Sequence, residues 1–394
     1  MRRIWSIILL GLWIGFPMGL LAQTENLSVA ERNALQGFND TIDRLADDFV
    51  TVSLVIADPG QVLYSTLGHA ALRLQCPIFN LDYIFTYESE GIDGKVFRFL
   101  CNDLKMGMIP ISVDEFLASY IEEGRGVKEY ILNLPPEIKT ELWRMCDERV
   151  DEGMLLNYDP VKRGCAISVL HSVEEAVKSA NRKTGKHYHI EYPAFGKPFE
   201  RTLREIFYDN APHGWGLFFC MTLVGGIVDE PNLPKKEKLI CPKELAEIWS
   251  QCTIDNKPLI CGQVVLNDGR GSKPEPFTPM YASLVILLLS VLGLFMKNSY
   301  CDWIILGIQT LLGALMLWLL IIPLPATGWS WLIIPFNILP IIFWHWRRYW
   351  AIPYASVIVV WCIVMMLWPH RLVEYAHLIL AISFTIVLIK QKIY

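Results

Sequence analysis

Five apolar segments crowd the last third of this chain, at residues 279–296, 301–322, 329–345, 350–368 and 373–389. About 18 apolar residues are enough to span a hydrocarbon core. Segments 279–296, 301–322 and 350–368 reach that length, and the other two fall just short of it. The sequence before them has the mixed polarity of a soluble domain. The expected organisation is therefore a folded domain over residues 23–276 joined to a transmembrane domain with five helices over residues 277–394.

The N-terminus explains how the folded part crosses the membrane. Met1, Arg2 and Arg3 form a short basic region, residues 4–21 are apolar, and Ala22 offers a small residue before Gln23. This is the pattern of a secretory signal peptide over residues 1–22. The domain that follows is then outside the cytoplasm, and the first span runs outward to inward. Lys297, Arg347, Arg348, Lys390 and Lys392 fall on the inner side, and only Arg371 falls outside. That bias satisfies the positive-inside rule and puts the C-terminus in the cytoplasm. Trp329, Trp331, Trp344, Trp346, Trp350 and Trp368 sit near span ends, where an interfacial aromatic belt is expected. The spans carry few ionisable residues, which argues against a transporter or proton pump. His377 reads as a polar residue that packs helices.

The net charge is −5, with the acidic excess in the exported part. An acidic domain is poorly suited to nucleic acid, whose binding depends on neutralising phosphates. No Cys-x-x-Cys pair, Walker loop or dinucleotide fingerprint is present, so no cofactor is expected. In an oxidising compartment Cys241, Cys252 and Cys261 are candidates for disulfides.

In the exported domain, residues 49–57, 69–74, 81–87, 96–101 and 128–134 read as strands. Residues 27–45 have helical spacing. Pro135-Pro136 opens one helix, and a second begins near Gly164-Cys165 and ends before Gly185. Further helices are expected at 202–210, 216–226 and 242–251. The domain is thus α+β, with strands first and helices after.

Two residues carry the chemistry. His69 stands at the start of a strand. Cys165 stands at the start of a helix, where free N–H groups and the positive dipole end stabilise a thiolate. Lys162 and Arg163 add positive charge. A neighbouring imidazole accepts the thiol proton, giving a Cys–His nucleophile pair. Asp82, on the following strand, is expected to orient the imidazole, with Tyr87 or Thr86 behind it. His171 falls on another helix face from Cys165. His187, His189 and Glu191 alternate on an extended stretch and make a weaker zinc alternative.

The motifs around these residues resemble the Lnb family of bacterial lipoprotein N-acyltransferases. Gly68-His69-Ala70-Ala71-Leu72-Arg73 is similar to its Gly-His-x-x-Leu-Arg strand. Asp82 and Tyr87 match the next strand, and Tyr130-x-Leu132-Asn133-Leu134 another. Tyr158 through Cys165 resembles the segment that carries the nucleophile. Trp215-Gly216, Gly225 with Asp229, Pro242 with Leu245, and Asn337 with Pro340 echo later elements. Gly164 stands where the family has Asn, and Ala166-Ile167-Ser168 replaces a Thr/Ser-Arg pair. The resemblance implies a circularly permuted papain-like, NlpC-type exported domain, with His before Cys, followed by an all-α five-helix transmembrane bundle. It implies a catalytic set of His69, Cys165 and Asp82, a phospholipid acyl donor and a diacylglyceryl lipoprotein acceptor. It also implies residence in the inner membrane of a Gram-negative bacterium, with the catalytic domain in the periplasm. The rival expectations are a thiol hydrolase of lipid esters or cell-wall peptides, and a membrane-tethered binding protein in which Cys165 is structural.

Overall fold

The computed structural model describes residues 50–393, save 90–94, 154–155, 195–199, 272–274, 297–299, 323 and 325. The expected signal peptide and the helical stretch at 27–45 lie outside the described residues. Three strands come first: β1 (Thr51–Ala57), β2 (His69–Cys76) and β3 (Leu81–Ser89). A short helix α1 (Lys95–Leu100) leads to β4 (Lys105–Ile111), and α2 (Val113–Glu122) leads to β5 (Val127–Leu132). Then follow α3 (Pro136–Glu152), β6 (Leu156–Asn157), α4 (Cys165–Thr184) and β7 (Ile190–Glu191). Helices α5 (Leu203–Asn210), α6 (Trp215–Leu223) and α7 (Pro242–Trp249) precede β8 (Thr253–Ile254), β9 (Lys257–Pro258) and β10 (Ile260–Asn267).

The main sheet is antiparallel, in the order β10-β5-β1-β2-β3-β4-β6. The aliphatic run of β1 is buried at every position after Thr51, as a central strand covered on both faces should be. On one face α2 packs Phe116 and Tyr120 over Val55, Ala57, Ala71, Ile84 and Val127. On the other face lie α3 and α4. The stripe of α4 (Ala166, Val169, Leu170, Val173, Val177) is buried as its spacing implies, and Gly185 ends the helix in the left-handed conformation.

Two expectations fail here. Residues 95–100 are helical rather than a strand. The alternation of Val96, Phe97, Arg98 and Phe99 mimics a strand, but tertiary contacts decide: Phe99 packs edge-on to Tyr158, and Leu100 packs on the C-terminal helices. Strands also do not all precede helices. β10 returns after α7 to pair with β5, far away in sequence.

The C-terminal part holds α8 (Pro279–Gly293), α9 (Tyr300–Ile321), α10 (Leu339–Ile342), α11 (Arg347–Leu367) and α12 (Tyr375–Ile393). Two apolar stretches, Tyr300–Ile321 and Trp344–Leu367, are long and apolar enough to cross a membrane; Pro279–Gly293 and Tyr375–Gln391 are shorter. Segment 329–345, expected as one span, is not one helix. It is a 3-10 turn at Trp331–Ile333, the single turn α10, and a second 3-10 turn at Trp344–Trp346. Pro335 and Pro340 account for the break, because each lacks an N–H and clashes with the preceding turn.

The carbonyls freed by that break are satisfied by side chains. Asn337 Nδ2 donates to Ile333 O and Ile334 O, and Tyr354 donates to Ile334 O at 2.6 Å. Gln309 Nε2 donates to Asn337 O at 2.6 Å. Gly313 lets the break approach, since a Cβ there would lie 2.4 Å from Asn337 C. The segment still runs the length of α9. At one end Gly225 and Gly226 N–H donate to Ala326 O and Trp329 O. At the other, Trp344 packs on Trp303 in the first turn of α9. Asp302 and Lys390, both buried, tie α9 to the end of α12 at 2.7 Å.

The two parts share one core. α6 is apolar all round and sends Phe218 and Leu223 into the core of the C-terminal helices. Phe218 stacks on His377 at 4.4 Å, and Thr222 Oγ1 lies 2.8 Å from His377 Nε2. His377 therefore packs a helix, as its position implied, but against the sheet domain rather than within the bundle alone.

Candidate active site

The approach to Cys165 is a turn organised by a buried aspartate. Asp159 Oδ1 accepts from Val161 N at 3.0 Å and Lys162 N at 2.9 Å, and Asp159 O accepts from Arg163 N. Gly164 then caps α4 in extended conformation. A Cβ at 164 would lie 2.8 Å from Pro160 O, so this tight approach favours glycine here. Cys165 is the first residue of the helix, and Ser168 N is the first to reach back, to Gly164 O. The N–H groups ahead of it are left for other acceptors.

His69 opens β2 and is brought to the same end of the sheet. Its side chain is 16% exposed, and Cys165 is half-buried. His69 Nε2 lies 2.6 Å from Thr86 Oγ1 and 3.7 Å from Glu88 Oε1. The Thr86 hydroxyl is itself 3.4 Å from Glu88 and positioned to donate to it. This chain engages Nε2 and leaves the other ring nitrogen for the thiol, to which the imidazole is hydrogen-bonded. Phe116 covers the ring at 6.2 Å between centroids.

The electrostatics favour an ion pair. Burial pushes the Cys165 thiol upward, but the His69 charge and hydrogen bond and the Ala70 and Ala166 backbone N–H groups outweigh it, and the pKa is lowered. For His69, burial works downward, yet Cys165 and then Glu88 outweigh it and the pKa is raised. By contrast, burial pushes Cys146, Cys220 and Cys252 up to about 12. Cys165 thus stands apart from Cys146, Cys220 and Cys252: its thiol is drawn down by the imidazole where theirs are pushed up.

Asp82 does not join them. It shares a sheet face with His69, but it pairs in register with Gln75, six residues along β2. That is roughly 20 Å at the usual strand rise. Its carboxylate is taken by Arg73, at 2.8 Å from Nε and 2.7 Å from Nη2, and this bond holds its pKa down. Arg73 also holds Glu129 at 2.7 Å, so Asp82 belongs to a structural network across β2, β3 and β5. Tyr87 accepts from Arg149 on the opposite face. The orienting position falls to Thr86, fully buried, with Glu88 behind it. Replacing Thr86 by Val is expected to slow iodoacetamide alkylation of Cys165 at neutral pH roughly tenfold, as loss of an orienting hydrogen bond does. Asp82→Asn is expected to leave that rate unchanged and to lower the melting temperature instead.

The other expectations resolve as follows. Cys241 and Cys252 are buried free thiols and Cys261 is an exposed one, so none is in a disulfide. His187 and His189 are exposed, while Glu191 accepts from Thr253. Among the described residues no group of three His, Cys, Asp or Glu side chains could hold a metal ion. His171 is exposed on α4, away from the pair. Sequence reading missed Asp159 and Glu88. An Asp-Pro turn five residues before a helix start was the available signal for the first, and period-two spacing from Thr86 for the second.

Residues 38–202 match the family model described as the Lnb N-terminal periplasmic domain, a span that contains His69, Thr86, Glu88 and Cys165. No curated protein and no solved structure matches the chain.

Proposed function

We propose that this chain, a member of the Lnb family by its N-terminal periplasmic domain, is a membrane-bound cysteine acyltransferase that moves a fatty acyl chain from phospholipid to the N-terminal amine of a diacylglyceryl lipoprotein. The observation that carries the reading is the Cys165–His69 pair, with its lowered thiol and raised imidazole, in a chain that also carries long apolar helices. The periplasmic family domain and the two long apolar stretches mark a membrane-associated protein. The inner membrane, five crossings with a broken third one, and a cytoplasmic C-terminus belong to this proposal. So does a permuted papain-like ancestry, which the order His69 before Cys165 supports.

In the first half-reaction the Cys165 thiolate attacks the ester carbonyl carbon. The C–O bond to the glycerol breaks, and the departing alkoxide takes a proton from the His69 imidazolium. The backbone N–H of Cys165, at the start of α4, donates to the developing oxyanion, where one donor is worth about 3 kcal/mol. In the second half-reaction the lipoprotein amine attacks the thioester, His69 takes the amine proton, and the thiolate leaves. Thr86 and Glu88 hold the ring in place throughout.

The pH dependence follows from the two shifts. Cys165 is lowered, so the thiolate persists below the ordinary thiol range and is lost as pH falls through that depressed value. His69 is raised above 6.5, so the proton donor persists above the ordinary histidine range and is lost as pH rises through it. The rate should be bell-shaped, with both limbs belonging to the pair. In His69→Ala, the alkylation profile of Cys165 should shift up toward the free thiol value of about 8.5.

The test is to reconstitute the full chain in phospholipid vesicles with a diacylglyceryl lipopeptide. An N-acylated lipopeptide and one lysophospholipid per turnover support the reading. Free fatty acid without acylated amine would make the protein a hydrolase, and no product would make it a binding protein.

A further inference from the structure

His69 is delivered by the turn between β1 and β2, and that turn is held from outside. Ala57, the last residue of β1, pairs with both His69 and Val127. The chain leaves the sheet at Asp58 and returns at His69. Between them Gly60 N and Gly68 N donate to Ser65 O at 2.8 Å and 2.9 Å. Gly68 has φ +85°, and a Cβ there would lie 2.5 Å from Ala57 O. The turn therefore closes tightly just before the histidine, in a conformation that favours glycine.

Arg125, in the link from α2 to β5, touches this turn. It is 4% exposed, which an arginine rarely is unless its charge is engaged. Its Nε donates to Asp58 O at 2.6 Å, and Asp58 N donates to Gly126 O at 2.9 Å. Its Nη1 donates to Glu123 at 2.8 Å. A Cβ at Gly60 would lie 3.4 Å from its Cδ. The guanidinium also lies over the Tyr120 ring, 4.7 Å from its centroid. Tyr120 packs on Phe116 at 4.8 Å, and Phe116 on His69 at 6.2 Å. One side chain thus holds the turn that enters His69 and the aromatic pair that covers its ring.

The charges that reach His69 come from three elements. Cys165 of α4 and Glu88 of β3 favour the imidazolium, and Arg125 opposes it. Burial pushes the Tyr120 phenol up, so it adds no charge from α2. Glu123, just beyond α2, is taken by Arg125. The charge of Arg125 and its contacts therefore act on His69 with opposite signs.

We propose that Arg125 is a positioning residue for the nucleophile pair: through Asp58 O it fixes the turn that delivers His69, and through Tyr120 and Phe116 it holds the imidazole in the orientation that meets the Cys165 thiol. This role rests on the Cys165–His69 pair of the proposed function. Its test needs neither acyl donor nor acceptor, so it stands or falls apart from the acyl-transfer reading.

The experiment is alkylation of Cys165 by iodoacetate across pH in the full chain, read on the peptide that carries Cys165, with melting temperature as control. The reagent is anionic. In the wild type its rate should rise as the thiol ionises and fall as the imidazolium is lost. Arg125→Lys keeps the charge but loses the fork to Asp58 and Glu123 and the flat stack on Tyr120. The bell should then narrow from both sides. Its acid limb should move up toward the free thiol value of about 8.5, and its alkaline limb down toward about 6.5. The rate at neutral pH should fall roughly tenfold, as when an orienting contact is lost. Phe116→Leu breaks the same route without touching Arg125 and should narrow the bell in the same sense. A wild-type profile in either variant, or a lower melting temperature with both limbs unmoved, would overturn the positioning role. So would an alkaline limb that moves up in Arg125→Gln, the sign expected if only the charge mattered.

Discussion

Replacing Cys165 by alanine is expected to abolish transfer of acyl groups to a lipopeptide amine, a loss of roughly a thousandfold or more. No other thiol can substitute. Cys220 and Cys241 are the nearby cysteines, and burial drives both thiols upward, so neither supplies a thiolate. The effect of His69→Ala should be of similar size, and the double variant scarcely worse, because nucleophile and base act as one unit. The measurement is the rate of N-acylated lipopeptide formation in vesicles, with protein level and melting temperature as controls. Retained activity in Cys165→Ala would mean that the cysteine is structural and that the chemistry lies elsewhere.

Replacing Arg204 by alanine should give the largest loss of stability, about 3–5 kcal/mol, the usual result of stripping one partner from a buried ion pair. Arg204 is 1% exposed. Its Nε lies 2.6 Å from Asp229, and its Nη1 and Nη2 donate to Met221 O at 2.7 Å and Val224 O at 2.6 Å. Those carbonyls close the end of α6, the helix that carries Phe218 and Thr222 onto His377. Without the guanidinium, one carboxylate and two carbonyls lose their donors at the joint between the sheet domain and the C-terminal helices. Arg204→Lys should recover only part of the loss, since a point charge cannot serve three acceptors in a fixed fork. Thermal unfolding of the purified chain in detergent reads both values. A change under 1 kcal/mol for Arg204→Ala would contradict this account of the joint.

The features legible in the sequence were those with local causes. Asp58-Pro59-Gly60 ends β1, Pro136 begins α3, and the 3.6-residue stripe after Cys165 gives α4 with its glycine stop. Those same signals put His69 at a strand start and Cys165 at a helix start, which is why the pair could be named. What failed depended on register or distance. Asp82 and Thr86 sit on one face of β3, and only the pairing of Ala71 with Thr86 decides which of them meets His69. β10 finds its place by pairing with β5 across more than a hundred residues. Helix α1 looked like a strand because the contact that fixes it comes from Trp318. Segment 329–345 had the apolarity of a span, and its two prolines weighed too little against that. Gln309, Asn337 and Tyr354, which make the break tolerable, come from three different elements.

The most direct measurement is mass spectrometry of the full chain incubated in phospholipid, wild type beside Cys165→Ala. The account predicts an acyl mass on the peptide carrying Cys165, removable by hydroxylamine and absent from the variant. A folded wild-type chain that carries no such adduct under conditions that preserve thioesters would contradict it.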